Sequence, residues 1–315
     1  MSGLSRSYAV GLLAGAALLT STACGAGSAE TGGGAGGGKP AVVAAFYPLQ
    51  WLSEQVGGPD AAVSVLTAPG VEPHDLELGA HQMAELGDAS LIVYIKGVQP
   101  AVDEAVDADK AFDAATAVKT LPAGHEEAGH DEAGHEGEAE EHDHEVSYDP
   151  HLWLDPARLA TVATRLGERL AAADPAHAQG YKDRAATTAA SLGALDKEFT
   201  QGLASCRSRT LVTAHEAFGY LADRYRLKQV GITLDPDAEP SPARLAEVAR
   251  LAKTEKVTTV FTESLVNPKV AQVLASEVGA RTAVLDPLES KPSGDYLSAM
   301  RANLTTLRTA LGCGA

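Results

Sequence analysis

Eight of the ten histidines fall into two groups with different chemistry. His125, His130, His135, His142 and His144 stand in HEEAGHDEAGHEGEAEEHDHE, among ten carboxylates and without a single Lys or Arg. Imidazole and carboxylate together suit transient capture of a divalent metal. The run has no apolar periodicity, so it reads as a disordered, solvated loop over 122–147. Ordering each residue around an ion costs roughly 1–2 kcal/mol of backbone entropy, so such a loop makes weak auxiliary sites. The competing reading is an acidic spacer that happens to contain His.

His74 in GVEPHDLEL, His151 in DPHLWLDP and His215 in TLVTAHEAFGYL are placed differently. Each lies in a loop leading from a strand towards a helix, where open α/β sheets put their ligand crevices. His215-Glu216 begins like the H-E-x-x-H of zinc hydrolases, but position 219 is Gly219. Ser241 and Ser264 lack a nucleophile-elbow context, and Cys206 has no His near it in sequence. The residues form no catalytic constellation, and the chain reads as a binder rather than an enzyme.

The elements that must position these histidines alternate. Val42–Phe46, Val63–Leu66 and Leu91–Ile95, then Thr210–Thr213, Gln229–Thr233, Val257–Phe261 and Thr282–Leu285, are short, branched and apolar, as buried strands are. Helical runs separate them, including Gln82–Gly87. Asp155-Pro156 and Ser241-Pro242 each supply an N-cap followed by proline at the first helical position. This rhythm predicts an α/β fold with parallel sheets flanked by helices. Between the halves, Tyr181, Ala185, Thr188, Leu192, Leu195, Phe199 and Leu203 recur at helical spacing, predicting one helix over 176–204. At 1.5 Å per residue it is roughly 40 Å long. Periodicity leaves two readings, a connector between two lobes (40–175 and 205–315) or a long surface helix on one domain.

The first 23 residues read as a signal peptide, with Arg6 ahead of the apolar run Tyr8–Leu19. Ser21-Thr22-Ala23-Cys24 resembles a bacterial lipobox, which implies acylation of Cys24, although Ser21 stands where an aliphatic residue is usual. Residues 24–39 are rich in glycine and read as a flexible tether, reaching about 20 Å. The expected location is extracytoplasmic, on the outer face of the cell membrane, held by the lipid alone. In such an oxidising setting Cys206 and Cys313 have one pairing available, closing a loop of about 100 residues. The net charge is −17 with no basic stripe, which argues against a nucleic-acid partner. No apolar run reaches about 18 residues, so the chain is not a polytopic membrane protein.

Taken in order, AFYPLQWLSEQVGG, GVEPHDLEL, DPHLWLDP, VTAHEAFGYLADRY, ITLDPDAEPSPARL and VFTESLVNPKVAQVLASEVGARTAVLDPL resemble the zinc- and manganese-binding lipoproteins of bacterial ABC importers, the ZnuA-like group. The resemblance implies two lobes joined by one long helix, with the metal in the cleft between them. It implies a monomer that delivers zinc to an ABC permease driven by its ATPase. Residue by residue, it puts metal ligands at His74, His151 and His215 and a fourth at Asp286. Glu263 is the reserve for that fourth place, and some zinc members leave water there. Glu72 lies one residue further from His74 than the acidic position zinc members often have. Three imidazoles and a carboxylate suit zinc better than manganese. Manganese delivery, a surface zinc buffer or adhesin, and a zinc hydrolase are the competing functions.

Overall fold

The computed structural model describes residues 38–123 and 146–314. The signal peptide, Cys24, nearly all of the tether and the five loop histidines lie outside the described residues. The part from Lys39 onward is one compact unit holding two four-stranded sheets. The first sheet comprises β1 (Ala41–Ala44), β2 (Ala62–Val65), β3 (Leu91–Tyr94) and β4 (Ala111–Asp113), in the order β2-β1-β3-β4. The second comprises β5 (Thr210–Thr213), β6 (Lys228–Gly231), β7 (Thr259–Thr262) and β8 (Arg281–Val284), in the order β6-β5-β7-β8. All pairings are parallel. In each sheet the first strand lies inside, with the chain crossing to one side and then to the other. Such a reversal opens a crevice beyond the strands' carboxyl ends.

Helices α1 (Tyr47–Gly57), α2 (Ala80–Asp88), α3 (Pro100–Ala105) and α4 (Pro156–Ala173) belong to the first half. The second half contributes α6 (Gly219–Tyr225), α7 (Pro242–Thr254), α8 (Lys269–Val278) and α9 (Tyr296–Leu311). The two proline-marked starts are capped as the sequence predicts. Asp155 accepts from the N–H groups of Ala157 and Arg158, and Ser241 Oγ accepts from Arg244 N. The strand β4 has no counterpart in the sequence reading, because three half-buried residues, Ala-Phe-Asp, carry too short a pattern. Among the described residues no helix is long and apolar enough to cross a membrane.

The long helix α5 runs Ala178–Gly202, starting later than the periodicity suggests, because Pro175–His177 form a separate 3-10 turn. It buries Tyr181, Ala185, Thr188, Leu192, Leu195 and Phe199. It packs against α1 and α4 of the first half and against α9 of the second, which makes it the connector. One core is continuous through both halves. Trp153 forms its seam: the indole lies edge-on to Phe46 at 4.8 Å and donates Nε1–H to Pro287 O at 2.7 Å. Tyr296 donates its hydroxyl to Trp153 O and stacks on Trp51 at 4.8 Å. Cys206, just after α5, is disulfide-bonded to Cys313, just after α9.

Candidate metal centre

Four loops end at one point. His74 follows β2, His151 precedes α4, and His215 comes two residues after β5. The fourth side chain is Glu289, in the loop after β8. One potential ligand atom from each of the four lies within 4.8 Å of the others. Glu289 Oε1 is 3.5 Å from His74 Nε2, 3.6 Å from His215 Nε2 and 3.8 Å from His151 Nε2. Two donors about 2.0–2.1 Å from one tetrahedral ion stand roughly 3.4 Å apart, so these spacings are close to a shared ion's. His215 is fully buried, Glu289 is 1% exposed and His151 5%. All three Nε2 atoms and both Glu289 oxygens are buried without a hydrogen-bond partner. Such convergence of orphaned polar atoms is costly unless something binds them.

The far sides of two rings are held. His151 Nδ1 meets Asp149 Oδ1 at 2.8 Å, and His215 Nδ1 meets Glu263 Oε2 at 2.6 Å. A carboxylate at Nδ1 favours the proton there and leaves the Nε2 lone pair for a metal. Glu263, the reserve fourth ligand, therefore lies behind His215 rather than beside the ion.

Asp286, the fourth ligand expected from the resemblance, is not in the converging group, whose carboxylate is that of Glu289. Its Oδ1 accepts from Leu288 N at 2.8 Å, and its backbone is clasped by the Asn303 side chain. Leu288 then takes a left-handed conformation, φ 63°, while its side chain is fully buried. A non-glycine residue accepts that geometry only where its surroundings enforce it. The turn swings Glu289 into the cluster three residues downstream. The sequence signal was a second acid in LDPLES, but nothing local showed which acid faced inward. Glu72 is also outside the group. Its Oε1 accepts from His74 N at 3.4 Å, and burial first, then the Glu289 charge, pushes its carboxyl up to about 7.

The hydrolase-like start at His215-Glu216 ends structurally. Glu216 Oε1 reaches Gly231 N and Arg244. Where a second helical His would stand the chain has Gly219, with Asp149 Oδ2 close against it.

The sequence matches the family described as ZnuA, zinc-uptake complex component A periplasmic, over residues 42–310. The chain belongs to the ZnuA family. Among curated ZnuA-family relatives it is 36% identical over 284 residues to the zinc-binding lipoprotein AdcA of Streptococcus pneumoniae. That alignment covers 86% of this chain and 56% of AdcA, so the chain spans little more than half of that relative's length. The high-affinity zinc uptake system protein ZnuA of Bacillus subtilis is 33% identical over 314 residues, covering 94% of this chain and 95% of that protein. The crystal structure of the Zn(II)-bound ZnuA-like domain of S. pneumoniae AdcA superposes with TM-score 0.70 at 33% identity, covering 87% of this chain and 99% of that one.

Protons compete with a metal here. Burial alone would push the His215 imidazole down, but Glu263 and Glu289 outweigh it and raise it to about 10. For His74 burial again acts downward, and Glu289 with Glu72 lifts it above its ordinary value. Burial would raise the Glu289 carboxyl, yet His215 and His74 hold it well below the usual range. The protonated imidazoles are thus favoured below their raised values, and a metal entering must expel those protons. Metal affinity accordingly keeps rising with pH above the 6.5 of a free imidazole. Calorimetric titration at pH 7.5 in buffers of different ionisation enthalpy should show at least one proton released per metal. No release would contradict the displacement.

Proposed function

We propose that this chain captures zinc outside the cytoplasm and hands it to the permease of an ABC importer. The observation that carries this reading is the convergence of three unpaired Nε2 atoms and the Glu289 carboxylate on one buried point. Nitrogen-rich tetrahedral sites suit zinc, whereas manganese prefers more oxygen donors. A relative that is zinc-binding by name, and a Zn(II)-bound neighbour of the same fold, support the choice of ion. Four protein donors leave no place for a nucleophilic water, and Glu216 is engaged with Arg244, so the reading is transport without catalysis. The permease and its ATPase are the partners, the chain acts as a monomer, and acylated Cys24 with the glycine-rich tether holds it at the membrane.

Competition titration against a calibrated chelator tests the ion: one tight zinc per chain is expected, with manganese weaker by orders of magnitude. A preference for manganese would overturn it. Deleting residues 124–145 should leave that tight site and remove only weaker ones, because the four donors all lie outside the deleted run. Loss of the tight site on deletion would reassign it to the loop histidines. Zinc-limited growth of cells lacking the permease separates import from buffering: the protein should confer an advantage only when the permease is present.

A further inference from the structure

Glu263 and Asp149 look alike in role, yet their geometry differs in one respect. Strands β5 and β7 are neighbours, with Val212 paired to Val260, so the residues leaving their carboxyl ends meet. Glu263, the first residue after β7, spends its two oxygens on two different donors. Oε1 accepts the backbone N–H of His215 at 3.1 Å, and Oε2 accepts at Nδ1 at 2.6 Å. Asp149 uses a single oxygen for both donors, Oδ1 taking His151 N at 2.9 Å and Nδ1 at 2.8 Å.

We propose that Glu263 is the positioning residue that fixes the tautomer of His215, and so decides whether Nε2 offers a lone pair to the metal. This deepens the zinc reading and rests on it. The peptide that carries the His215 N–H has no freedom to turn away, because its carbonyl, Ala214 O, accepts from Thr233 N at 3.1 Å and from Thr233 Oγ1 at 3.1 Å. Glu263 is 5% exposed and His215 fully buried, so bulk water does not replace a missing acceptor. A backbone N–H only donates, so whatever faces it must accept. Glutamine has one acceptor oxygen. That oxygen goes to the backbone N–H, and its NH2 then faces Nδ1. Nδ1 becomes the acceptor, the proton of the neutral ring moves to Nε2, and the lone pair needed by zinc is gone. The reverse orientation sets NH2 against N–H, donor against donor. Asparagine at 149 meets no such conflict, since its one oxygen serves both donors as Oδ1 does.

Chelator-competition titrations with zinc and nitrogen-15 imidazole NMR on wild type, Glu263→Gln, Glu263→Ala and Asp149→Asn test this. Glu263→Gln should weaken zinc about 100-fold, the upper end for a group supporting a ligand. Glu263→Ala should cost less, about tenfold, because it removes the carboxylate without imposing the wrong tautomer. Asp149→Asn should stay nearer wild type than either. Nδ1 of His215 should carry a proton in wild type and none in Glu263→Gln, read without metal at a pH high enough to leave the ring neutral. Equal losses in the two amide variants, a Gln variant binding as well as the Ala variant, or Nδ1–H persisting in Glu263→Gln would each overturn the assignment. Absence of tight zinc in wild type would instead overturn the zinc reading, while the metal-free spectra still decide the tautomer. If Glu263→Gln fails to fold, Nδ1 protonation in zinc-bound wild type together with the Ala and Asn affinities decides.

Discussion

Replacing Glu289 with alanine lowers zinc affinity by about two orders of magnitude, whereas Asp286→Asn leaves it near wild type. Structural zinc bound by four donors is worth about 10–16 kcal/mol, so each donor accounts for roughly 3 kcal/mol, a factor of about 150. Glu289 also faces all three imidazoles through one oxygen, at 3.5, 3.6 and 3.8 Å, so its loss removes the anion that offsets the ion's charge. Asp286 does a different task. Asn at 286 retains the oxygen that accepts from Leu288 N, so the turn that delivers Glu289 survives. Titration of both variants against a chelator is the check. A large loss in Asp286→Asn with none in Glu289→Ala would return Asp286 to the ligand set.

Breaking the Cys206–Cys313 disulfide costs about 4–5 kcal/mol of folding stability. The bond closes a loop of 107 residues, and the chain-entropy model gives this figure for a loop of that length. The loop contains the entire second sheet, so the cross-link restricts the unfolded chain over much of its length. In the folded protein it ties the end of α5 to the end of α9, elements already packed together, so little native geometry depends on it. Urea unfolding of the double variant Cys206→Ala/Cys313→Ala, followed by fluorescence, should show the reduced stability. The same variant should retain one tight zinc site, because neither cysteine belongs to the converging group. An unchanged urea midpoint would show that the denatured chain is already restricted without the bond.

Much of the architecture was legible in order of appearance. Branched apolar runs marked seven of the eight strands, and the central four, β1, β3, β5 and β7, need such a run because they are buried on both faces. The caps at Asp155 and Ser241 were legible because capping is a local hydrogen bond between residues two or three apart. The apolar stripe from Tyr181 to Phe199 identified α5 but left its role open. That role depended on which elements lay on either side, and contact with both α4 and α9 supplied the answer.

The sequence by itself determined the three imidazoles, the alternating elements that deliver them and the cysteine pair. Each of these rests on residue type, on spacing within one element, or on the absence of any other partner. Only the tertiary structure brings Glu289 into the converging group and sets Glu263 against the far side of His215. Leu288 holds a left-handed φ because burial and the Asn303 clasp on Asp286 enforce it, and no local propensity predicts that. Glu263 reaches His215 because β5 and β7 are neighbours across 48 residues of sequence. Side-chain direction in a loop is set by backbone angles and long-range strand pairing, and neither is encoded in the periodicity of the segment that carries it.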